Sequence, residues 1–252
     1  MINEKELQNH LASTHKKNAL TGNLKELVYG GIDGIVTTFA VVAGFVGATM
    51  VTSNDDGQGM TISVTVVLIF GLANLFADGF SMGVGDFLSS RAENKLFEKE
   101  RQKEISAIND EETFNFEYDE TVFLLREKGF NKEDAHALTD IYKKNSNFWV
   151  EFMMFYELDM PKPEESPVRS AVVTFVSFVV FGLMPLLPYI FDISIFGEPF
   201  GTAIVFVAIA LVILGIVRAQ FTKENMLISV AEIVGLGMSA ALIAYFVGTL
   251  FT

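Results

Sequence analysis

Residues 61–88 read TISVTVVLIFGLANLFADGFSMGVGDFL, and this stretch decides the fold. It contains no Lys or Arg, and its only charges are Asp78 and Asp86. A run of about 18 or more mostly apolar residues is what a helix needs to cross the hydrocarbon of a bilayer. Four further blocks share the pattern, at 27–51, 168–190, 199–217 and 226–251. The expectation is an all-α integral membrane protein with five transmembrane helices. One long polar stretch follows the second span and forms a helical insert.

Half of the chain is hydrophobic, and the mean hydropathy is +0.38. The net charge of −13 argues against nucleic acid as a partner, because its binding needs a basic surface. There is no cysteine, so disulfides and thiolate ligands are excluded.

The basic residues orient the chain. Lys5, Lys16, Lys17 and Lys25 precede the first block, twelve lie from Arg91 to Arg169, and Arg218 and Lys223 lie between the fourth and fifth blocks. The loop at 52–60, the loop at 191–198 and the C-terminal end carry none. Under the positive-inside rule this alternation fits five spans with the N-terminus and insert in the cytosol and the C-terminus on the opposite side. The expected organisation is a cytosolic N-terminal segment over 1–26, spans one and two over 27–90, the insert over 91–166, and spans three to five over 167–252. The first residues lack an apolar signal core, and the short tail without a targeting segment favours a bacterial inner membrane over a vacuolar one.

The insert is acidic, with 12 basic and 19 acidic residues across 91–169. Its pattern predicts helices at 91–108, 117–128, 132–144 and 148–158, with Asn131 as an N-cap. Pro161, Pro163 and Pro167 then break the chain before span three, and Pro185 and Pro188 mark a kink or an end within it.

Polar groups inside the spans are the candidates for function. Asp33 lies in Gly30-Gly31-Ile32-Asp33-Gly34, and a carboxylate at mid-membrane costs about 2.5 kcal/mol or more. It is either part of a pathway or close enough to the cytosolic end to reach water. Asn74, Asp78, Met82 and Asp86 recur every four residues and so share one helical face. That face is either a polar seam between helices or the lining of a path. A thioether among oxygen ligands suits Fe²⁺ better than Ca²⁺ or Mg²⁺. Glu232 in the fifth block either pairs with Arg218 or carries a proton. His10, His15 and His136 are too scattered to form a site.

In the insert, Glu117 and Glu120 are three apart and share a helical face. Glu157 lies within a turn of Met153 and Met154, and Glu104 sits on a separate helix. By spacing alone these residues fit a solvated charged surface as well as a metal site.

Asp33-Gly34, then Phe39-Ala40-Val41-Val42-Ala43-Gly44, then Ser81-Met82-Gly83, and finally Phe152-Met153-Met154 with Glu157, together resemble the vacuolar iron transporter family. The resemblance implies a homodimeric transporter of Fe²⁺, often also of Mn²⁺, with proton antiport and no permanent cofactor. It implies a pathway between the first and second spans at the dimer interface, with Asp33 as its aspartate and Met82 as its methionine. It also implies that Glu104, Glu117, Glu120, Glu157, Met153 and Met154 bind metal in the cytosolic insert. Two departures stand out. Asn74 occupies a position where the family can carry a carboxylate, and Ala107 replaces one insert glutamate. Asn74 cannot hold a proton, which moves any coupling to Asp78 or Glu232.

The alternative is a membrane-anchored metal sensor or metal-storage docking protein, although five spans with a polar stripe exceed what an anchor needs. An enzyme is disfavoured, because the chain has no His-Glu-x-x-His, no Gly-x-Ser-x-Gly and no cysteine nucleophile.

Overall fold

A computed structural model describes residues 3, 23–52, 64–163, 166–195 and 197–250. The expectations for the N-terminal segment before Asn23, for His10 and His15, and for the loop at 53–60 lie outside the described residues. Every regular element among the described residues is helical. In chain order these are α1 (Leu24–Thr52), α2 (Val64–Asn109), α3 (Phe114–Glu127), α4 (Lys132–Tyr142), α5 (Ser146–Tyr156) and α6 (Pro167–Gly182). A 3₁₀ turn (Met184–Leu186), α7 (Leu187–Ile190), α8 (Pro199–Thr222) and α9 (Met226–Leu250) follow.

Among the described residues, four segments are long and apolar enough to cross a membrane: Leu24–Gly47, a window within Val64–Asn109, Pro167–Ile190 and Pro199–Thr222. The fifth expected span is a helix, α9, whose apolar stretch among the described residues, Met226–Ala240, is shorter. Pro185 and Pro188 have the effect expected of them. The α-helix stops at Gly182, tightens into the 3₁₀ turn and resumes as α7, because proline cannot donate to the carbonyl a turn earlier.

The chain divides into two compact units, Met1–Asp86 with Val168–Thr252, and Phe87–Pro167. In the first, Ile35, Val42, Leu75, Phe178, Leu186, Leu211 and Leu214 are fully buried and form one core. Close backbone approach makes this packing possible. A Cβ at Gly30 would meet the Thr174 carbonyl oxygen at 2.7 Å, and one at Gly34 would collide with the backbone of Phe178. Small residues at such contacts are how membrane helices gain van der Waals packing without help from water.

The second unit is built around Trp149, Val150, Met153 and Met154 on α5, with Val122 and Leu125 of α3, Ala135 of α4 and Ile108 at the end of α2. Its turns follow local chemistry. Gly129 takes φ +101 after α3, a backbone region open to glycine. The Asn131 side chain then accepts from the Asp134 N–H at 2.8 Å, capping α4. Asn145 caps α5 through the Phe148 N–H.

Candidate functional site

Three elements of the second unit bring carboxylates together. Glu104 comes from the charged end of α2, Glu117 from the first turn of α3, and Glu157 from the C-cap of α5. One ligand oxygen from each lies within 4.8 Å of the others. Among the described residues this is the only such group of three or more potential ligands. In each of the three, Oε2 is buried and has no hydrogen-bond partner.

Buried, unpaired like charges raise one another's proton affinity. Burial first, then the charges of Glu117, Glu120 and Glu100, pushes the Glu104 carboxyl up to about 7 against a weak opposing effect of Lys103. Burial, then Glu104, Glu120 and Glu117, does the same to Glu157, also to about 7. Glu117 is raised by burial and by Glu120. An ordinary charged surface would show salt bridges and water-facing oxygens. Here three carboxylates converge and each keeps a buried, unpartnered oxygen, which is a donor set a divalent cation would complete. Oxygen donors of this kind suit Mg²⁺, Mn²⁺ and Fe²⁺.

The remaining expected insert residues divide. Glu120 lies near enough to act on all three carboxylates electrostatically but is not part of the close group. Met153 and Met154 are fully buried. Met153 Sδ receives the Thr121 hydroxyl at 3.2 Å, and Trp149 Nε1–H donates to Thr121 Oγ1 at 2.7 Å. Sequence reading missed Thr121 and Trp149. The available signal was the one-turn spacing of Thr121 from Glu117 and of Trp149 from Met153. His136 belongs to a separate cluster, stacked on Tyr118 beside Asp140 and Lys143.

In the first unit, Asp33 on α1 is half-buried, and its charge interacts with that of Asp78 on α2. Two carboxylates predicted from separate spans are therefore neighbours. Asp78 is exposed, Asn74 is partly buried, and partly buried Met82 packs against the core. Asp86, the fourth member of the stripe, is held differently. Its Oδ2 accepts from Ser170 at 2.9 Å and from Thr174 at 3.0 Å, both on α6 and both almost fully buried. Ser177 continues that α6 stripe and donates to the Leu27 carbonyl of α1. The i, i+4, i+7 spacing of these hydroxyls was the signal that sequence reading passed over. It also passed over Glu26, which is buried with an unpartnered Oε2 two turns before Asp33. Glu232 pairs with Arg218 at 2.8 Å, and Arg218 also meets Glu224 at 3.2 Å.

The sequence profile of the VIT family matches residues 24–249. A vacuolar iron transporter of Toxoplasma gondii is 35% identical, with the alignment covering 97% of this chain and 80% of that protein. One from Plasmodium falciparum is 33% identical over 90% of this chain and 81% of its own length. One from the plant Centaurea cyanus is 28% identical over 95% and 93%.

Proposed function

Because the chain belongs to the VIT family, a family of transporters rather than enzymes, we propose that it carries Fe²⁺, and Mn²⁺ with it, out of the cytosol in exchange for protons. The observation that carries the reading is the group Glu104, Glu117 and Glu157, each of which brings one carboxylate oxygen within 4.8 Å of the others and has a buried, unpartnered Oε2. In this reading the unit Phe87–Pro167 is a cytosolic insert that collects metal, with Glu120, Met153 and Met154 completing its ligand supply. The spans move the ion.

Five crossings are supported by the four long apolar helices together with α9. Its 25 residues extend about 37 Å, more than the roughly 30 Å of hydrocarbon. The N-terminus and insert then face the cytosol and the C-terminus the other side, in keeping with the distribution of Lys and Arg.

Asp33, Asn74, Asp78 and Met82 line the path. An exposed carboxylate at Asp78, between the exposed Phe76 and Phe80, is too costly to leave against lipid. A second copy of the chain covers that face, making the transporter a homodimer. Asp33 supplies negative charge to a partly dehydrated cation, and Met82 offers a thioether that favours transition metals. Asn74 offers a carbonyl oxygen but no proton. Asp78 is the first candidate for proton exchange, one turn from both Asn74 and Met82. Glu232 is the second, and it is ion-paired with Arg218 at 2.8 Å.

The test is metal flux into proteoliposomes with a metal-sensitive dye and a pH dye recorded together. Metal movement with opposite proton movement is expected. Metal binding without flux would overturn transport in favour of a sensor or storage-docking role.

A further inference from the structure

We propose that Thr121 is a positioning residue that sets the metal preference of the insert, by orienting the Met153 thioether toward soft cations at the Glu104, Glu117 and Glu157 group. The inference rests on the reading of that group as a metal site with Met153 as its sulfur donor.

Thr121 and Met153 are both fully buried. Thr121 follows Glu117 by one turn of α3, and Met153 precedes Glu157 by one turn at the end of α5. Their 3.2 Å contact therefore ties the two helices together one turn from the carboxylates on each. The hydroxyl is fixed from behind. Trp149 Nε1–H, itself one turn before Met153, donates to Thr121 Oγ1 at 2.7 Å and occupies one of its lone pairs. The hydroxyl proton has two acceptors, Met153 Sδ and the Glu117 carbonyl at 2.8 Å.

A threonine bonding back to the carbonyl four residues earlier is common in helices and would need no further explanation. That habit does not account for the Trp149 donor or the sulfur acceptor. Together they hold the thioether in one orientation. A thioether sulfur has two lone pairs, so a hydrogen bond to one leaves the other free. Carboxylates bind hard and borderline cations, whereas a thioether adds affinity for soft ones. Orienting the sulfur therefore changes preference more than overall affinity.

The experiment titrates the detergent-solubilised full chain with Mn²⁺ and with Cd²⁺. Emission of Trp149, the only tryptophan in the chain, reports the insert specifically. Thr121→Val keeps the shape and removes the hydroxyl. It should weaken Cd²⁺ binding about tenfold, the scale of losing an outer-shell partner, and Mn²⁺ binding about twofold or less. Thr121→Ser should restore the parent ratio. In a Met153→Leu background, Thr121→Val should leave the ratio unchanged. Thr121→Ala repeats the measurement by a second route should the Val variant fail to fold. Equal losses for both ions, or no loss for either, would overturn the inference while leaving the metal site intact. Absence of binding by the parent chain would overturn both.

Discussion

Metal capture by the insert should depend steeply on pH between 6 and 8. A bound cation requires Glu104 and Glu157 deprotonated, and both carboxyls stand at about 7 rather than at their ordinary 4.5. For each group the apparent affinity is divided by one plus the ratio of proton activity to its dissociation constant. Between pH 8 and pH 6 that factor grows about tenfold, so two groups together lower the affinity about 100-fold. Glu117 shifts in the same direction and adds to the effect. The three titrate as a coupled set, so the total drop is the measurable quantity rather than any single pKa. Calorimetry with Mn²⁺ in two buffers of different ionisation enthalpy gives affinity and proton release together. About one proton per ion should leave at pH 7 and close to two at pH 6. Glu157→Gln should cut the pH-dependent drop to about tenfold. The same groups bind protons more tightly in the folded than in the unfolded chain. Their contribution to the stability of the metal-free insert is therefore full below about 4.5 and is lost as pH rises through about 7. Stabilisation by Mn²⁺ should accordingly be greater at pH 8 than at pH 6. Equal Mn²⁺ affinity at pH 6 and 8 with no proton release would refute the reasoning.

Other expectations follow from the proposed path. Asp33→Ala should abolish metal flux in proteoliposomes while the protein still inserts, and undiminished flux would remove Asp33 from the path. Replacing Glu117, Glu120 and Glu157 together by Gln should slow transport at low metal and spare it at saturating metal; a loss that persists at saturation would place them in the translocation step. Asp78→Asn should uncouple metal from proton flux more than Glu232→Gln does, because Arg218 holds Glu232 in an ion pair. Full coupling in the Asp78 variant would place the proton site elsewhere.

What could be read from the sequence was local. A long apolar run or an asparagine ahead of two acids is a signal contained within one stretch of chain, and such signals carried the four long apolar helices and the Asn131 cap. The meeting of Glu104 with Glu117 and Glu157 depends on how three separate helices turn and pack. Among the carboxylates, spacing pairs only Glu117 with Glu120, yet Glu117 turns into the close group and Glu120 stays outside it. Thr121 illustrates the same limit. In a helix it reads as a weakly unfavourable β-branched residue, and its hydrogen-bond partners on α5 lie 28 and 32 residues away in sequence. For Glu232 the sequence leaves two readings, a pair with Arg218 or a proton carrier, and the structure shows the ion pair.

The glycine contacts of α1 have a consequence for how the protein is made. Gly30 and Gly34 find their cover on Thr174 and Phe178 of α6, which leaves the ribosome roughly 140 residues later. At about 5–20 residues per second that is an interval of roughly 7–30 s. During it the rest of α1, α2 and the whole insert are translated. The face of α1 that α6 will cover has no mate during this time. Assembly of the membrane unit is therefore a late event, timed by the length of the insert, and that length works as a delay during which the first two helices depend on whatever the insertion machinery offers them.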